Sequence, residues 1–91
     1  MDNKISLQNG DSRDSVVDRL FSLLQGRASI PALLCVYETE QHYRPFGGVL
    51  SYDGAGFHFN GFNGIMNFSC DPLAVYKKFL KVTFDRIKDF E

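Results

Sequence analysis

The chain has 91 residues, of which 44% are hydrophobic, and its formal net charge is −1. A chain of this length forms one domain with a modest core, which leaves little room for a deep active-site cleft. The balanced charge lacks the basic footprint of a typical nucleic-acid-binding protein, and no apolar run approaches the ~18 residues that a membrane span needs.

The N-terminal residues 1–10 are mostly polar and contain no apolar signal-peptide segment, so we expect a cytoplasmic protein. Ile5 and Leu7 alternate with polar neighbours, a pattern that fits either a short edge strand or a flexible segment. Residues 11–91 are then predicted to form a single α+β domain. Cys35 and Cys70 lie in apolar stretches, where we expect reduced, buried thiols.

A first helix is predicted to begin in the group of N-cap residues at positions 11–14. Apolar residues then recur at helical spacing and cover a stripe about 160° wide. They are Val16, Val17, Leu20, Phe21, Leu23 and Leu24. Gly26 is well placed to end this helix.

Residues 30–37 are apolar at successive positions, which predicts a strand buried on both faces inside a sheet. Two turn signals follow, Asp53-Gly54 and Asn63-Gly64, and both dipeptides favour two-residue type I′ hairpin turns. The turns therefore predict a meander of three antiparallel strands.

The meander strands are predicted over residues 46–52, 55–62 and 65–70. Two-residue turns place Tyr52 opposite Ala55 and Phe62 opposite Ile65, and this register propagates along the strands. One face of the meander is then largely apolar and the other largely polar. The polar face carries Gly47, Val49, Ser51, Gly56, His58, Asn60, Phe62, Ile65, Asn67 and Ser69.

Asp71 and Pro72 are predicted to begin a second helix, which runs close to Phe90. Its apolar arc spans about 200°, more than packing on one sheet requires. The surplus is expected to contact the first helix, a second copy of the chain or a partner. The surplus forms a second apolar stripe of this helix, made of Val75, Phe79, Val82 and Phe90.

The predicted element order is therefore α-β-β-β-β-α. Helices at both ends of a mostly antiparallel four-stranded sheet predict a two-layer α+β sandwich.

The polar face of the meander holds the candidate partner-binding residues. They are His58, Asn60, Phe62, Ile65 and Asn67. An exposed Phe-Ile pair at a hairpin tip is a candidate anchor for a partner protein. Two alternatives stay open: the face is only solvated, or the N-terminal segment covers the apolar pair.

His58 faces Ser69 in this register, which offers a second hypothesis, a small hydrolase or metal enzyme centred on His58. Catalysis would also need an orienting carboxylate and an oxyanion hole, and an open sheet face excludes little water. No close ligand spacing supports a metal site. We therefore expect no catalytic residue, metal or cofactor.

Five basic residues are candidates for contacting an anion: Arg44, Lys77, Lys78, Lys81 and Lys88. The four lysines share one face of the predicted second helix, so a nucleic-acid-binding domain is the alternative function. The helix–strands–helix order is similar to that of a double-stranded-RNA-binding domain, whose second helix begins with a lysine cluster. Here that helix begins Asp71-Pro72-Leu73-Ala74, so the resemblance covers topology alone.

These observations together predict a small, non-catalytic protein-binding module. Short chains of this kind are often inhibitors, immunity proteins or phage-encoded antagonists, an analogy that rests on size alone. We expect a protein partner, no membrane association, and a candidate homodimer contact at the second apolar stripe of the C-terminal helix.

Overall fold

The computed structural model describes residues 3–8, 10–64, 67–68 and 79–87, with the backbone alone given for 67–68. The described elements follow one another as β1 (Lys4–Gln8), α1 (Arg13–Leu24), β2 (Ser29–Tyr37), β3 (Tyr43–Tyr52), β4 (Phe57–Gly61), β5 (Asn67–Phe68) and β6 (Lys81–Arg86).

The strands form one antiparallel sheet in the order β1-β6-β2-β3-β4-β5. β2 lies between β6 and β3, in agreement with the continuous apolar sequence of residues 30–37. The helix packs on one face of the sheet, so the predicted α+β class with an antiparallel sheet is confirmed.

The hydrophobic core lies between α1 and this face of the sheet. Leu34, Leu50 and Phe59 are fully buried at the centre of the sheet, and the rings of Phe59 and Phe84 meet edge to face at 5.9 Å. The helix contributes Val16, Leu20, Leu23 and Leu24. Removal of these large apolar side chains from water is the main favourable term for a domain of this size.

The helix α1 follows the sequence pattern at both ends. The Oγ of Ser12, one of the expected cap residues, accepts a hydrogen bond from the Ser15 backbone N–H at 3.1 Å. At the other end Gln25 (φ 54°) and Gly26 (φ 82°) adopt the left-handed conformation that ends a helix. No helix within the described ranges combines the length and apolar character needed to cross a membrane.

The prediction of a second helix running to Phe90 is wrong for residues 81–86, which form β6 between β1 and β2. The described sheet accordingly has six strands rather than four, and the predicted α-β-β-β-β-α order fails at this point. Val82 follows Phe79 by three residues and Phe84 follows Leu80 by four, as on a helix face, while Val82 and Phe84 also alternate as in a strand, so this short segment fits both patterns. The predicted start at Asp71-Pro72 lies outside the described residues.

The N-terminal residues Lys4–Gln8 form β1, which pairs with β6 at one edge of the sheet. The burial of this strand alternates, with Ile5 and Leu7 on the core side and their neighbours exposed. Just before the strand, the Asn3 carbonyl accepts a hydrogen bond from the Arg86 N–H at 2.7 Å, which extends the pairing.

The first hairpin of the meander has a longer loop than predicted, because Tyr52 pairs with Phe57 and not with Ala55. The Asp53 Oδ1 accepts hydrogen bonds from the backbone N–H groups of Ala55 (2.8 Å) and Gly56 (2.9 Å), a local turn that a side-chain carboxylate favours. Gly54 takes a positive φ but Asp53 does not, so the turn is not type I′. The register moves by two residues, which keeps every side chain on its predicted face.

The second hairpin has the predicted register, with Phe59 opposite Phe68 and Asn60 opposite Asn67. The Gly64 N–H donates to the Gly61 carbonyl at 3.0 Å, and Gly64 has a φ of 75°. This turn also differs from type I′, since Asn63 does not have a positive φ.

Candidate functional site

The face of the sheet opposite α1, called the outer face below, carries the side chains that alternate with the core residues. His58 and Asn60 lie on it because they alternate with the buried Phe57 and Phe59 of β4. Phe62 continues this alternation just beyond β4, and its N–H donates to the Gly47 carbonyl at 2.9 Å. Three of the five predicted partner-binding residues therefore share this face.

Phe62 is 57% exposed, more than any other exposed large hydrophobic side chain in the described part of the chain. Its ring lies beside Gly47, where an added Cβ would be 3.3 Å from Cδ2 and 3.5 Å from Cε2. The glycine therefore lets the aromatic ring approach β3 closely, and more than half of the side chain is left in contact with solvent.

His58 is oriented by Asp53, whose Oδ2 lies 2.6 Å from the imidazole Nε2. Backbone hydrogen bonds from Ala55 and Gly56, followed by the hydrogen bond with His58, lower the pKa of Asp53 to about 2. At neutral pH this carboxylate is ionised and can only accept, so Nε2 carries the proton of the pair. In the tautomer that carries its proton on Nε2, the imidazole Nδ1 is a hydrogen-bond acceptor.

The partnership of Asp53 with His58 was missed by the sequence reasoning, because a two-residue turn places Asp53 at the turn itself. The available signal was the tendency of Asp to accept from backbone N–H groups two and three residues later, which lengthens the loop. Asn67 lies opposite Asn60 in the backbone register, whereas Ile65 lies outside the described residues.

Around β4 the outer face combines hydrogen-bonding side chains with the exposed aromatic ring of Phe62. Asp53 does supply the orienting carboxylate that the hydrolase hypothesis required, and Ser51 lies opposite His58 across the strand pair. Ser69, which the predicted register places opposite His58, lies outside the described residues. Among the residues that the structure describes, no three His, Cys, Asp or Glu side chains converge as metal ligands.

The two described members of the basic set both have acidic neighbours. Arg44 Nη2 lies 3.0 Å from Glu38 Oε1, and Lys81 Nζ lies 4.0 Å from Glu40 Oε2. Lys81 belongs to β6 and not to a helix, so the predicted helical lysine face is wrong at this residue. These acidic neighbours partly neutralise the positive charge that would attract an anion. Lys77, Lys78 and Lys88 lie outside the described residues.

An open cleft of about 320 Å³ lies at the β2–β3 loop. Its lining residues are Glu38, Gln41, His42, Tyr43 and Arg44. Thr39 Oγ1 accepts from the backbone N–H groups of Gln41 (3.2 Å) and His42 (3.0 Å) and lies 3.1 Å from His42 Nδ1.

Beside the cleft, the rings of Tyr37 and Tyr43 stack with their centroids 5.0 Å apart, and Lys81 Nζ lies 4.6 Å from the centre of the Tyr37 ring. The loop is therefore held by its own contacts.

The predicted homodimer stripe is not a helical surface where the structure describes it. Val82 lies in β6 and is only 2% exposed within the core, and Phe79 is partly buried against the core. Val75 and Phe90 lie outside the described residues. Val82 is therefore assigned to the hydrophobic core.

Comparison with known proteins finds no family model, no curated protein and no solved structure that matches the chain.

Proposed function

We propose that this chain is a non-catalytic protein-binding module, of the inhibitor, immunity or phage-antagonist kind, that recognises a partner protein through its outer face. The contact surface is formed by His58, Asn60 and Phe62, with Ile65 and Asn67 as the remaining predicted members. The observation that carries the proposal is the 57% exposure of Phe62 on the same face of the sheet as the imidazole of His58, which Asp53 orients.

A large aromatic side chain on a short hairpin suits the centre of a protein interface. Aromatic residues dominate binding energy because they bury a large area and lose little conformational entropy. The ring of Phe62 already lies against Gly47, so part of its position is set before binding. Preorganisation of this kind lowers the entropy cost of association.

The polar residues that share the outer face with Phe62 are proposed to set the orientation of a bound partner. Asp53 orients the imidazole of His58, and Asn60, which is exposed, carries both a donor and an acceptor. His58, Asn60 and Phe62 alternate along one strand and its extension, so one partner surface can contact all three. The arrangement places an aromatic anchor at one end of a row of polar groups, which can form part of the polar rim of an interface.

The test is affinity capture from a lysate of the native source, with and without nuclease, followed by binding measurements on the purified partner. Phe62→Ala is expected to weaken binding by at least about tenfold, as loss of an interface anchor does. The matched control is Phe21→Leu, which changes a partly exposed aromatic residue on the helix side of the sheet.

Equal affinity of the parent protein and Phe62→Ala for the captured partner would reject the outer face as the binding surface. Thermal unfolding of each variant is measured in parallel, because only a folded variant reports on binding.

A nucleic-acid-binding function through basic residues is the alternative proposal. It is distinguished in the same experiment: recovery that disappears with nuclease, together with binding that weakens steeply with added salt, would favour it. Recovery that survives nuclease and ordinary salt would favour the protein partner.

A further inference from the structure

Within the described part of the chain, β1 forms one edge of the sheet and pairs with β6. An edge strand presents a row of backbone N–H and C=O groups to solvent, and this row is a template for pairing with another chain. Whether those backbone groups already have hydrogen-bond partners determines whether the edge can pair with another strand.

The direction of the backbone groups follows from two contacts. The Ser6 carbonyl accepts a hydrogen bond from Arg19 Nη1 at 2.8 Å, and the Gln8 N–H donates to Asp11 Oδ2 at 2.9 Å. Since neither contact involves β6, both residues direct their backbone groups away from the sheet. In a strand the N–H and C=O of one residue point the same way, so the Ser6 N–H also points outward.

Asp11 and Arg19 together form a clamp along the C-terminal half of β1. Asp11 Oδ2 lies 2.9 Å from Arg19 Nη1, and the backbone N–H of Asp11 donates to the Gln8 carbonyl at 3.1 Å. The Asp11 side chain is only 16% exposed. Both outward groups of Gln8 and the outward carbonyl of Ser6 are therefore occupied by partners from this chain.

We infer that the clamp of Asp11 and Arg19 guards the β1 edge against pairing with the β1 edge of a second copy of this chain. An incoming strand centred on Ser6 needs the Ser6 carbonyl as a hydrogen-bond partner, and Arg19 already holds it. Removal of the guanidinium frees the Ser6 carbonyl and releases the carboxylate of Asp11 from its ion pair.

A second copy is the occupant that suits this edge. An antiparallel β1–β1 contact centred on Ser6 is symmetric, so the same backbone groups serve both partners. In that register Lys4 faces Gln8 of the other copy, so no like charges oppose each other across the dyad. Ile5 faces Leu7 of the other copy on the core side of the sheet.

The test compares the full-length parent with Arg19→Ala by sedimentation velocity over a range of concentrations. The variant is expected to self-associate more tightly by about tenfold or more, since a hydrogen bond to a charged group contributes at least that much. Hydrogen exchange supplies a second readout: the Ser6 amide should become protected as the concentration of the variant rises.

The double variant Arg19→Ala with Ser6→Pro separates edge pairing from non-specific aggregation. Proline removes the outward N–H of Ser6 and is tolerated on an edge strand, so the self-association should return to the parent level. Arg19→Met, which keeps a long helix-forming side chain but has no hydrogen-bond donor, replaces Arg19→Ala if that variant does not fold. Unchanged self-association in a folded Arg19 variant, or association that the proline does not reverse, would overturn the inference.

Discussion

Asp53 and His58 are joined by a contact of 2.6 Å between Oδ2 and Nε2, which ties the first hairpin loop to the outer face of β4. The same carboxylate accepts two backbone N–H groups of its own loop through Oδ1. One side chain thus sets the loop length, the strand register and the orientation of a residue in the proposed contact surface.

The first prediction concerns the pH dependence of stability. The pKa of Asp53 is lowered from 3.8 to about 2, chiefly by the backbone hydrogen bonds of Ala55 and Gly56. A lowered pKa in the folded state means that the ionised group stabilises the fold fully above 3.8, and that this contribution is lost as the pH falls toward 2. Asp53→Asn should therefore show a weaker pH dependence in this window, measured by urea unfolding at each pH.

His58→Gln is the matched variant for this experiment. The hydrogen bond with His58 ranks after the two backbone hydrogen bonds as a cause of the lowered pKa, so His58→Gln should keep most of the pH dependence. Loss of the whole dependence in His58→Gln would show that the backbone hydrogen bonds are not its main cause.

The second prediction concerns the close approach of β3 and β4 at Gly48. A Cβ at Gly48 would be 2.7 Å from Phe59 Cζ and 2.9 Å from the Gly61 Cα, and it would also collide with the Asn60 carbonyl oxygen. Gly48→Ala should therefore lower the free energy of unfolding by about 1–3 kcal/mol, the usual cost of overpacking.

Gly47→Ala is the neighbouring control for Gly48→Ala. The nearest atom to its added Cβ is Phe62 Cδ2 at 3.3 Å, on a side chain that is mostly exposed and can move. Its effect on the free energy of unfolding, measured by urea unfolding, should stay within about 0.5 kcal/mol. Equal losses in the two variants would contradict the packing described here.

The third prediction concerns the start of α1. Ser12→Ala removes the Oγ that accepts from the Ser15 N–H and should cost about 1 kcal/mol of stability. Ser22→Ala, at an exposed position within the same helix, should be neutral or slightly stabilising because alanine favours helices. Chemical unfolding of both variants measures the difference, and a neutral Ser12→Ala would argue against this cap.

The fourth prediction separates the hydrophobic core from the binding surface. Phe59 is fully buried against Phe84, so Phe59→Ala should cost about 3–5 kcal/mol. Phe62→Ala should change the free energy of unfolding by about 0.5 kcal/mol or less, as expected for an exposed position. A large loss of stability in Phe62→Ala would mean that this ring serves the fold and not recognition.

Local patterns in the sequence predicted much of the framework. The apolar spacing of residues 16–24 and the cap residues before them identified α1, and the apolar run of residues 30–37 identified the central strand. The faces of β3 and β4 were also predicted correctly. A two-residue error in the first turn moved the register but left each residue on its face, because side chains alternate with a period of two.

The candidate site was only partly visible in the sequence. The alternation along β4 placed His58, Asn60 and Phe62 on one face, and the structure agrees. The contact between Asp53 and His58 was not foreseen, because it depends on the loop length. That length is determined by the side-chain hydrogen bonds of Asp53 and not by the Asp-Gly dipeptide alone.

The sequence by itself determined the helix, the central strand, the faces of the meander and the register of its second hairpin, since each depends on residues close together in the chain. Only the tertiary structure decided that residues 81–86 form a strand, which lies between β1 and β2. Val82 and Phe84 alternate as strand residues do, but each also lies three or four residues after another apolar residue, as in a helix, so the local pattern does not separate the two structures. Antiparallel pairing with β1 and β2, from distant parts of the chain, satisfies the backbone on both sides of β6 and selects the strand.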